Sequence, residues 1–498
     1  MIDERLYHID GIDLDKDNQE FNTALDLAVN TEFSLYITGK AGTGKSTFLK
    51  YLNKIAGKNM IVLAPTGVAA INAGGQTIHS FFKIRPSVYP PDDPRLKPEK
   101  GHTEEGPSIS DYFAYNQSKI DMLNQIDTIV IDEISMVRCD LLDVIDKLLR
   151  FYRHESAPFG GVQMIFIGDV FQLSPVAKHE EWEILKNYYE SEFFFDAHAI
   201  QQIRMAKIDL KKIYRQSDCK FINLLNDIRI NEVTKEDYDL LNSRVDADAA
   251  GRISDEDYIV LTTTNAKAAE INHSRLANIA KQERKYGAEI VGAFKQSDMP
   301  TDCILHLKVG AQVIFVKNDT NGLFYNGQIG RVTALEDDSI HVAARDKNGK
   351  EYTIEVQREV WHNMRYSHIG KRIVEEVLGT FTQFPIKLAW AITVHKSQGL
   401  TFDRVIADIS WSFAPGQVYV ALSRCRSLDG LILTSVVPRG AIKTDSRVLD
   451  HSKEEFDTET ISLLRTIEIS SNGLFDSKPN TVPISAFENI PKGDDYIF

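Results

Sequence analysis

Cysteine is scarce: Cys139, Cys219, Cys303 and Cys425 are the only four in 498 residues. None stands in a Cys-x-x-Cys spacing, which excludes a thiolate zinc site or a disulfide framework and leaves isolated reduced thiols as the expectation. Long apolar runs are missing, and none approaches the ~20 residues that cross a bilayer. The acidic beginning Met1-Ile-Asp-Glu-Arg lacks the basic and apolar regions of a targeting peptide. The expectation is therefore an intracellular, cytoplasmic protein, nucleoid-associated if bacterial, with no membrane partner. Positive charge is in deficit, since 57 Lys and Arg against 71 Asp and Glu give a formal net charge of −14. That balance argues against indiscriminate polyanion binding but leaves room for a nucleic acid held in a local basic groove. The length predicts two to four domains.

What the chain does have is organised around Tyr36-Ile-Thr-Gly39-Lys-Ala-Gly42-Thr43-Gly44-Lys45-Ser46-Thr47. The spacing fits GxxxxGK[ST]. Its glycines let backbone N–H groups converge on phosphate oxygens, Lys45 reaches the β and γ phosphates, and Ser46 offers a hydroxyl to Mg²⁺. Phe33-Ser-Leu-Tyr-Ile before it is short and rich in strand formers, and Thr47 to Ile55 repeats apolar residues at helical spacing, so a strand meets a helix N-terminus here. Upstream, Asp17 or Asn18 is expected to cap a helix, and Gln19 beside it presents the paired donor and acceptor that suit an adenine edge.

Further apolar runs end in polar groups, as strands do at the ligand edge of an α/β sheet. The run from Met60 to Ala64 leads to Pro65-Thr66-Gly67, where Thr66 and the N–H groups beyond it suit a nucleic-acid phosphate. Thr77-Ile-His79-Ser-Phe81 interleaves imidazole and aromatic groups, reading either as a platform for single-stranded bases or as core aromatics. Residues 85–110 are proline-rich and irregular. Thr128-Ile-Val-Ile ends in Asp132-Glu133: Asp132 is expected to hold Mg²⁺, and Glu133 to orient and deprotonate the attacking water. Gly168-Asp-Val-Phe-Gln172 closes a third run, with Gln172 placed to hydrogen-bond the γ-phosphate or that water.

This series resembles the petite-integration-frequency family of superfamily 1B DNA helicases. The later chain agrees, through Tyr214-Arg215-Gln216, Leu261-Thr262-Thr-Thr-Asn265, Thr393-Val-His395-Lys396-Ser397-Gln-Gly399 and Gly416-Gln-Val-Tyr419-Val-Ala-Leu-Ser423-Arg424. The resemblance implies an α/β protein of two RecA-like P-loop NTPase lobes, with a small SH3-like β-barrel inserted in the second. It implies ATP and Mg²⁺ as cofactors, single-stranded DNA and duplex or structured DNA as partners, a monomer when free, and travel from 5′ to 3′. By the same resemblance Arg215 and Arg424 are arginine fingers. Gly39, Gly42, Thr43, Gly44, Thr47 and Gly399 join the nucleotide site, while Pro65, Thr66, Gly67, His79, Phe81, Thr262, Asn265, Thr393, His395, Lys396 and Ser397 contact DNA. The expected domains are 1–200, with an irregular insertion near 83–112; 201–300 with 382–440; a barrel over 301–381, with a hairpin turn at Asn348-Gly349; and an extension over 441–498, partly flexible. An RNA-directed or RNA–DNA hybrid motor would share the ATP motifs. A non-enzymatic single-strand binder would need a decayed ATP site, and this one is complete.

Overall fold

The computed structural model describes residues 8–453, apart from 10–11, 14, 16, 98–107, 217, 247, 249–257, 320–321, 346–349, 371 and 413. The apolar runs become a six-stranded parallel sheet in the order Gln76–Thr77, Met60–Ala64, Thr128–Ile131, Gln163–Ile167, Ser34–Gly39, Met205–Leu210. Both faces are covered, which is why the strands read as continuous hydrophobic runs. Leu35 and Ile37 pack with Phe48 and Leu52 on one side, while Tyr36 packs with Phe166 and Phe194 on the other. Because all six strands run the same way, the phosphate loop, Pro65-Thr66, Asp132-Glu133 and Gly168-Asp169 emerge along one carboxyl edge.

A second parallel sheet has the order Ala391–Thr393, Ile259–Thr262, Val405–Asp408, Leu431–Leu433. Its register sets Thr393, Thr262 and Asp408 in a row at the strand ends. The two parallel sheets form the two RecA-like lobes, and the first runs past the expected boundary at 200, because Met205–Leu210 pairs alongside Ser34–Gly39 as its sixth strand. Between the first strands of the second lobe runs antiparallel structure extending from Arg284 to Leu388, wider than the anticipated 301–381. Its main part is a five-stranded sheet in the order Glu351–Val356, Ile340–Arg345, Ile329–Leu335, Gln312–Phe315, Ile386–Leu388. Among the described residues the two outer strands do not pair with each other, so the closure expected of an SH3-like barrel is missing from the hydrogen bonding. The expected Asn348-Gly349 turn lies outside the described residues.

A long hairpin, Glu359–Ile369 with Arg372–Gln383, was not anticipated. It reaches the first lobe because that sheet's edge strand is only two residues long and leaves its neighbour's backbone unpaired. Val62 N–H donates to the Tyr366 hydroxyl at 3.0 Å, Gln76 Nε2 to the Met364 carbonyl at 2.5 Å, and Gln125 Nε2 to the Gly370 carbonyl at 2.8 Å.

The helix Ser446–Lys453 returns the chain to the first lobe. Lys207 Nζ donates to the carbonyls of His451 (3.3 Å) and Ser452 (2.9 Å), and the His451 ring stacks on Phe195 with centroids 4.0 Å apart. Burial, helped by the Lys207 charge, pushes His451 down from 6.5 to about 3. The unfolded chain therefore takes up a proton below about pH 6.5 that the folded one refuses, so the stability contributed here is full above that pH and falls as pH drops towards 3. The thermal midpoint of the parent should drop between pH 7 and pH 5 more steeply than that of His451→Phe, as followed by circular dichroism. The remainder of the expected extension, 454–498, lies outside the described residues. No helix among the described residues is long and apolar enough to cross a membrane.

Candidate nucleotide and nucleic-acid site

The phosphate loop is held open from within. Thr43 is fully buried and its hydroxyl donates to the Lys40 carbonyl at 2.9 Å. Gly44, at φ 95° in the left-handed region, starts the helix Lys45–Ile55. Lys45 folds back on its own loop, donating to the carbonyls of Gly39 (2.5 Å) and Lys40 (3.1 Å). Burial lowers its pKa, against the pull of Asp169 and Glu133. Ser46 is exposed and Thr47 half-buried on the first helical turn. Converging N–H groups at the start of an eleven-residue helix make an anion site.

Asp132 and Glu133 sit two sheet positions away, at the end of Thr128–Ile131. Glu133 adopts φ 51°, a conformation costly for a residue with a Cβ and typical of functional sites. Its N–H donates to Asp132 Oδ1 at 2.9 Å. Burial, and then the Glu133 charge, raise Asp132 to about 7. Burial raises Glu133 as well, opposed by Lys45 and Arg424. Gln172 is nearly buried in a turn closed by its N–H on the Asp169 carbonyl at 2.9 Å.

The arginines come from far along the chain. Tyr214 N–H donates to the Gly42 carbonyl at 2.9 Å, laying the next residue so close that a Cβ on Gly42 would stand 2.5 Å from Arg215 Cβ. Arg215 Nη1 donates to the Ser423 carbonyl at 3.2 Å. Arg424, only 2 % exposed, donates to the Val420 carbonyl (3.0 Å), the Ser423 hydroxyl (2.9 Å) and the Leu400 carbonyl (3.4 Å). Burial, then the charge of Arg424, pushes Arg215 down to about 9, and burial lowers Arg424 too. Neither makes an ion pair among the described residues, so two buried cations face the loop with only neutral acceptors. At the other side of the loop, Asn18 proves to be the helix cap: its Oδ1 accepts from Phe21 N–H at 3.1 Å and its Nδ2 donates to the Tyr214 hydroxyl at 3.0 Å. Gln19 beside it is exposed.

The residues expected to meet DNA fall into two groups. On the second lobe Thr262 and Thr393 are buried, as is Ser397, whose hydroxyl donates to the Val394 carbonyl at 2.7 Å. Thr393 Oγ1 accepts from Lys396 N–H at 3.3 Å. Asn265, His395, Lys396 and Gly399 are exposed around them, with Gly399 at φ 76°. On the first lobe Thr66 is exposed and caps the helix Gly67–Ala73 through Ala69 N–H at 3.3 Å, and Pro65 is half-buried. There the insertion intrudes. A Cβ on Gly67 would lie 2.5 Å from Asp298 Oδ1. Phe81 is 3 % exposed, edge-on to Tyr366 at 6.0 Å and capped by Lys119 Nζ at 3.2 Å from its centroid. His79 beside it is half-buried. Phe81 lies among the core aromatics, edge-on to Phe82 at 4.8 Å, which is the second of its two expected readings.

The profile of the PIF1-like helicase family matches residues 14–239. The ATP-dependent DNA helicase Pif1 of Bdellovibrio bacteriovorus is 31% identical over 443 residues, covering 87% of this chain and 90% of that protein. This chain belongs to the PIF1-like helicases. The human ATP-dependent DNA helicase PIF1 is 32% identical over 427 residues, 84% of this chain but 60% of that protein, so the chain spans about three-fifths of its human relative. Among solved structures, Pif1 from Bacteroides sp. in complex with ADP-AlF4 shares 42% identity at a TM-score of 0.79, covering 87% of this chain and 96% of that one. The single-stranded-DNA-bound form of Bacteroides Pif1, at the same 42% identity, covers 89% and 97% with a TM-score of 0.61. At equal identity, the chain as a whole superposes less well on the DNA-bound form.

Three residues at the heart of the site carry no role in the sequence reading: Asp169, Arg229 and Tyr419. Asp169 and Tyr419 stand inside runs picked out for other members. Arg229, which meets Asp169 at 2.9 Å, lies on an ordinary amphipathic helix with no local signal.

Proposed function

We propose that this chain is an ATP-dependent DNA helicase that travels 5′ to 3′ on single-stranded DNA and opens duplex or structured DNA. The observation carrying this reading is the seating of Arg215 against Gly42, with Arg424 beside it: two buried guanidinium groups without an ion-pair partner among the described residues, one from the segment that leaves the first lobe's last strand and one from the second lobe, over the phosphate loop. A polyphosphate supplies the missing negative charge. On binding, Lys45 exchanges the Gly39 and Lys40 carbonyls for the β and γ phosphates, and Arg215 and Arg424 exchange backbone acceptors for the γ-phosphate oxygens. Glu133 accepts the proton of the attacking water, and Gln172 orients that water. The Ser46 hydroxyl and the Asp132 carboxylate are hard oxygen donors that fit Mg²⁺; two buried carboxyls pushed upward by burial, Asp132 by the Glu133 charge as well, are what a divalent cation relieves. Mg²⁺, when bound, neutralises phosphate charge.

Translocation needs the two lobes to grip DNA with affinities that alternate through the ATP cycle. Thr66 on the first lobe and Thr262, Thr393, His395 and Ser397 on the second supply those grips, with Asn265 and Lys396 alongside, in a chain that works from a free monomer. The deciding experiment is strand displacement on 5′-tailed against 3′-tailed duplexes, with ATP turnover measured on single-stranded DNA and on RNA. Unwinding of the 5′-tailed duplex and stimulation by DNA are expected. Stimulation by RNA alone, or unwinding from the 3′ tail, would refute the reading.

A further inference from the structure

Tyr419 lies on the helix Gln417–Leu422 of the second lobe, yet its hydroxyl is inside the first lobe's machinery. It accepts from the N–H of Ala41, in the phosphate loop, at 3.0 Å. It also stands 3.5 Å from Asp169 Oδ2, to which it is the donor. A hydroxyl with one proton can do both, and each bond polarises the other in the same sense. Burial, with Asp169 next, raises the Tyr419 hydroxyl to about 12, which keeps that proton in place.

Asp169 is the hub of this arrangement. Its Oδ1 accepts from Arg229 Nη2 at 2.9 Å and from Phe171 N–H at 3.2 Å, and its carbonyl closes the turn that carries Gln172. Arg229 lies over the Phe171 ring at 3.8 Å. The phosphate loop and the Gln172 turn are thus joined through one phenol, and that phenol is five residues ahead of Arg424. A Cβ on Gly416, three residues earlier, would stand 2.5 Å from the Gln172 carbonyl oxygen, so the same segment packs against the Gln172 turn. Where this helix sits fixes three things together: the guanidinium of Arg424, the Gln172 turn and the loop backbone.

We propose that Tyr419 is a positioning residue for ATP hydrolysis, bridging the phosphate loop and the Gln172 turn so that the second lobe can dock Arg424 in only one register. The role rests on the hydrolytic function proposed above. Tyr419 touches no phosphate; it acts through Ala41 and Asp169. Misplacement of a catalytic group by about 1 Å is enough to cost about 100-fold in rate. Loss of the phenol oxygen leaves the ring, the packing and the phosphate-facing N–H groups in place.

The test is Tyr419→Phe, assayed for ATP turnover with saturating single-stranded DNA. The expected result is a kcat about tenfold lower, the scale of one well-placed hydrogen bond, with KM for ATP within about threefold of the parent and a thermal midpoint lowered by only a few degrees. Asp169→Asn and the double variant complete a cycle. If the bridge is the unit that acts, the double variant is no slower than the slower single. A kcat for Tyr419→Phe within twofold of the parent overturns the role, as do losses that multiply in the double variant. Absence of DNA-stimulated turnover in the parent is a different failure, removing the proposed function and this role with it.

Discussion

Arg424→Ala should lower DNA-stimulated ATP turnover by ~10³ to 10⁵, the range seen when an arginine that neutralises a transferring phosphoryl group is lost. ATP affinity should change far less, because Lys45 and the loop N–H groups belong to the other lobe and stay intact. Arg424 is also a buried group with four hydrogen-bond acceptors around it, so truncation carries a stability cost. Arg424→Lys separates the two effects. A lysine keeps the charge but not the planar fork, so it restores the thermal midpoint more than it restores the rate. Single-turnover hydrolysis with pre-bound ATP is the measurement. A chemical step within tenfold of the parent would show that this guanidinium does not meet the γ-phosphate.

Glu133→Gln should stall hydrolysis by ~10² to 10⁴ while ATP stays bound. The amide matches the carboxylate in shape and does not alter the left-handed backbone at φ 51° that aims the side chain. What it loses is the ability to take a proton. It also removes a negative charge from beside Asp132, whose pKa stands at about 7 through burial and the Glu133 charge. In the nucleotide-free protein Asp132 should therefore titrate lower in the variant. Filter retention of labelled ATP together with phosphate release reads the stalled step: retained nucleotide with little release is the expected outcome, and release at the parent rate would assign the water-activating role elsewhere.

The parts of this molecule that were legible in the amino-acid order are those governed by near neighbours. The strands Ser34–Gly39, Thr128–Ile131 and Gln163–Ile167 announce themselves because each is buried on both faces and carries an apolar run with polar residues only towards its ends. The loop after Gly39 follows from glycine conformation and the start of a helix within a dozen residues. The strand-end placement of Asp132-Glu133 and Thr262 follows from the same pattern. The hairpin Glu359–Gln383 was not legible, since its purpose is to satisfy an edge strand about 300 residues earlier, and nothing within its own span refers to that edge. The order of the five-stranded sheet, whose outer strands do not pair among the described residues, was likewise invisible, because strand order is a property of contacts and not of periodicity.

The division is plainest at Tyr419 and Ala41, which are 378 positions apart and share one hydrogen bond. By itself the sequence determined that a triphosphate cradle, an acidic pair and two candidate arginines exist, because spacing of a few residues sets backbone direction locally. Only the tertiary structure decided which of them meet. It seats Arg215 on Gly42, joins Asp169 to Arg229 and Tyr419, and covers Phe81 with Tyr366, since side chains distant along the chain come together only when burial of two separate sheets brings their edges face to face.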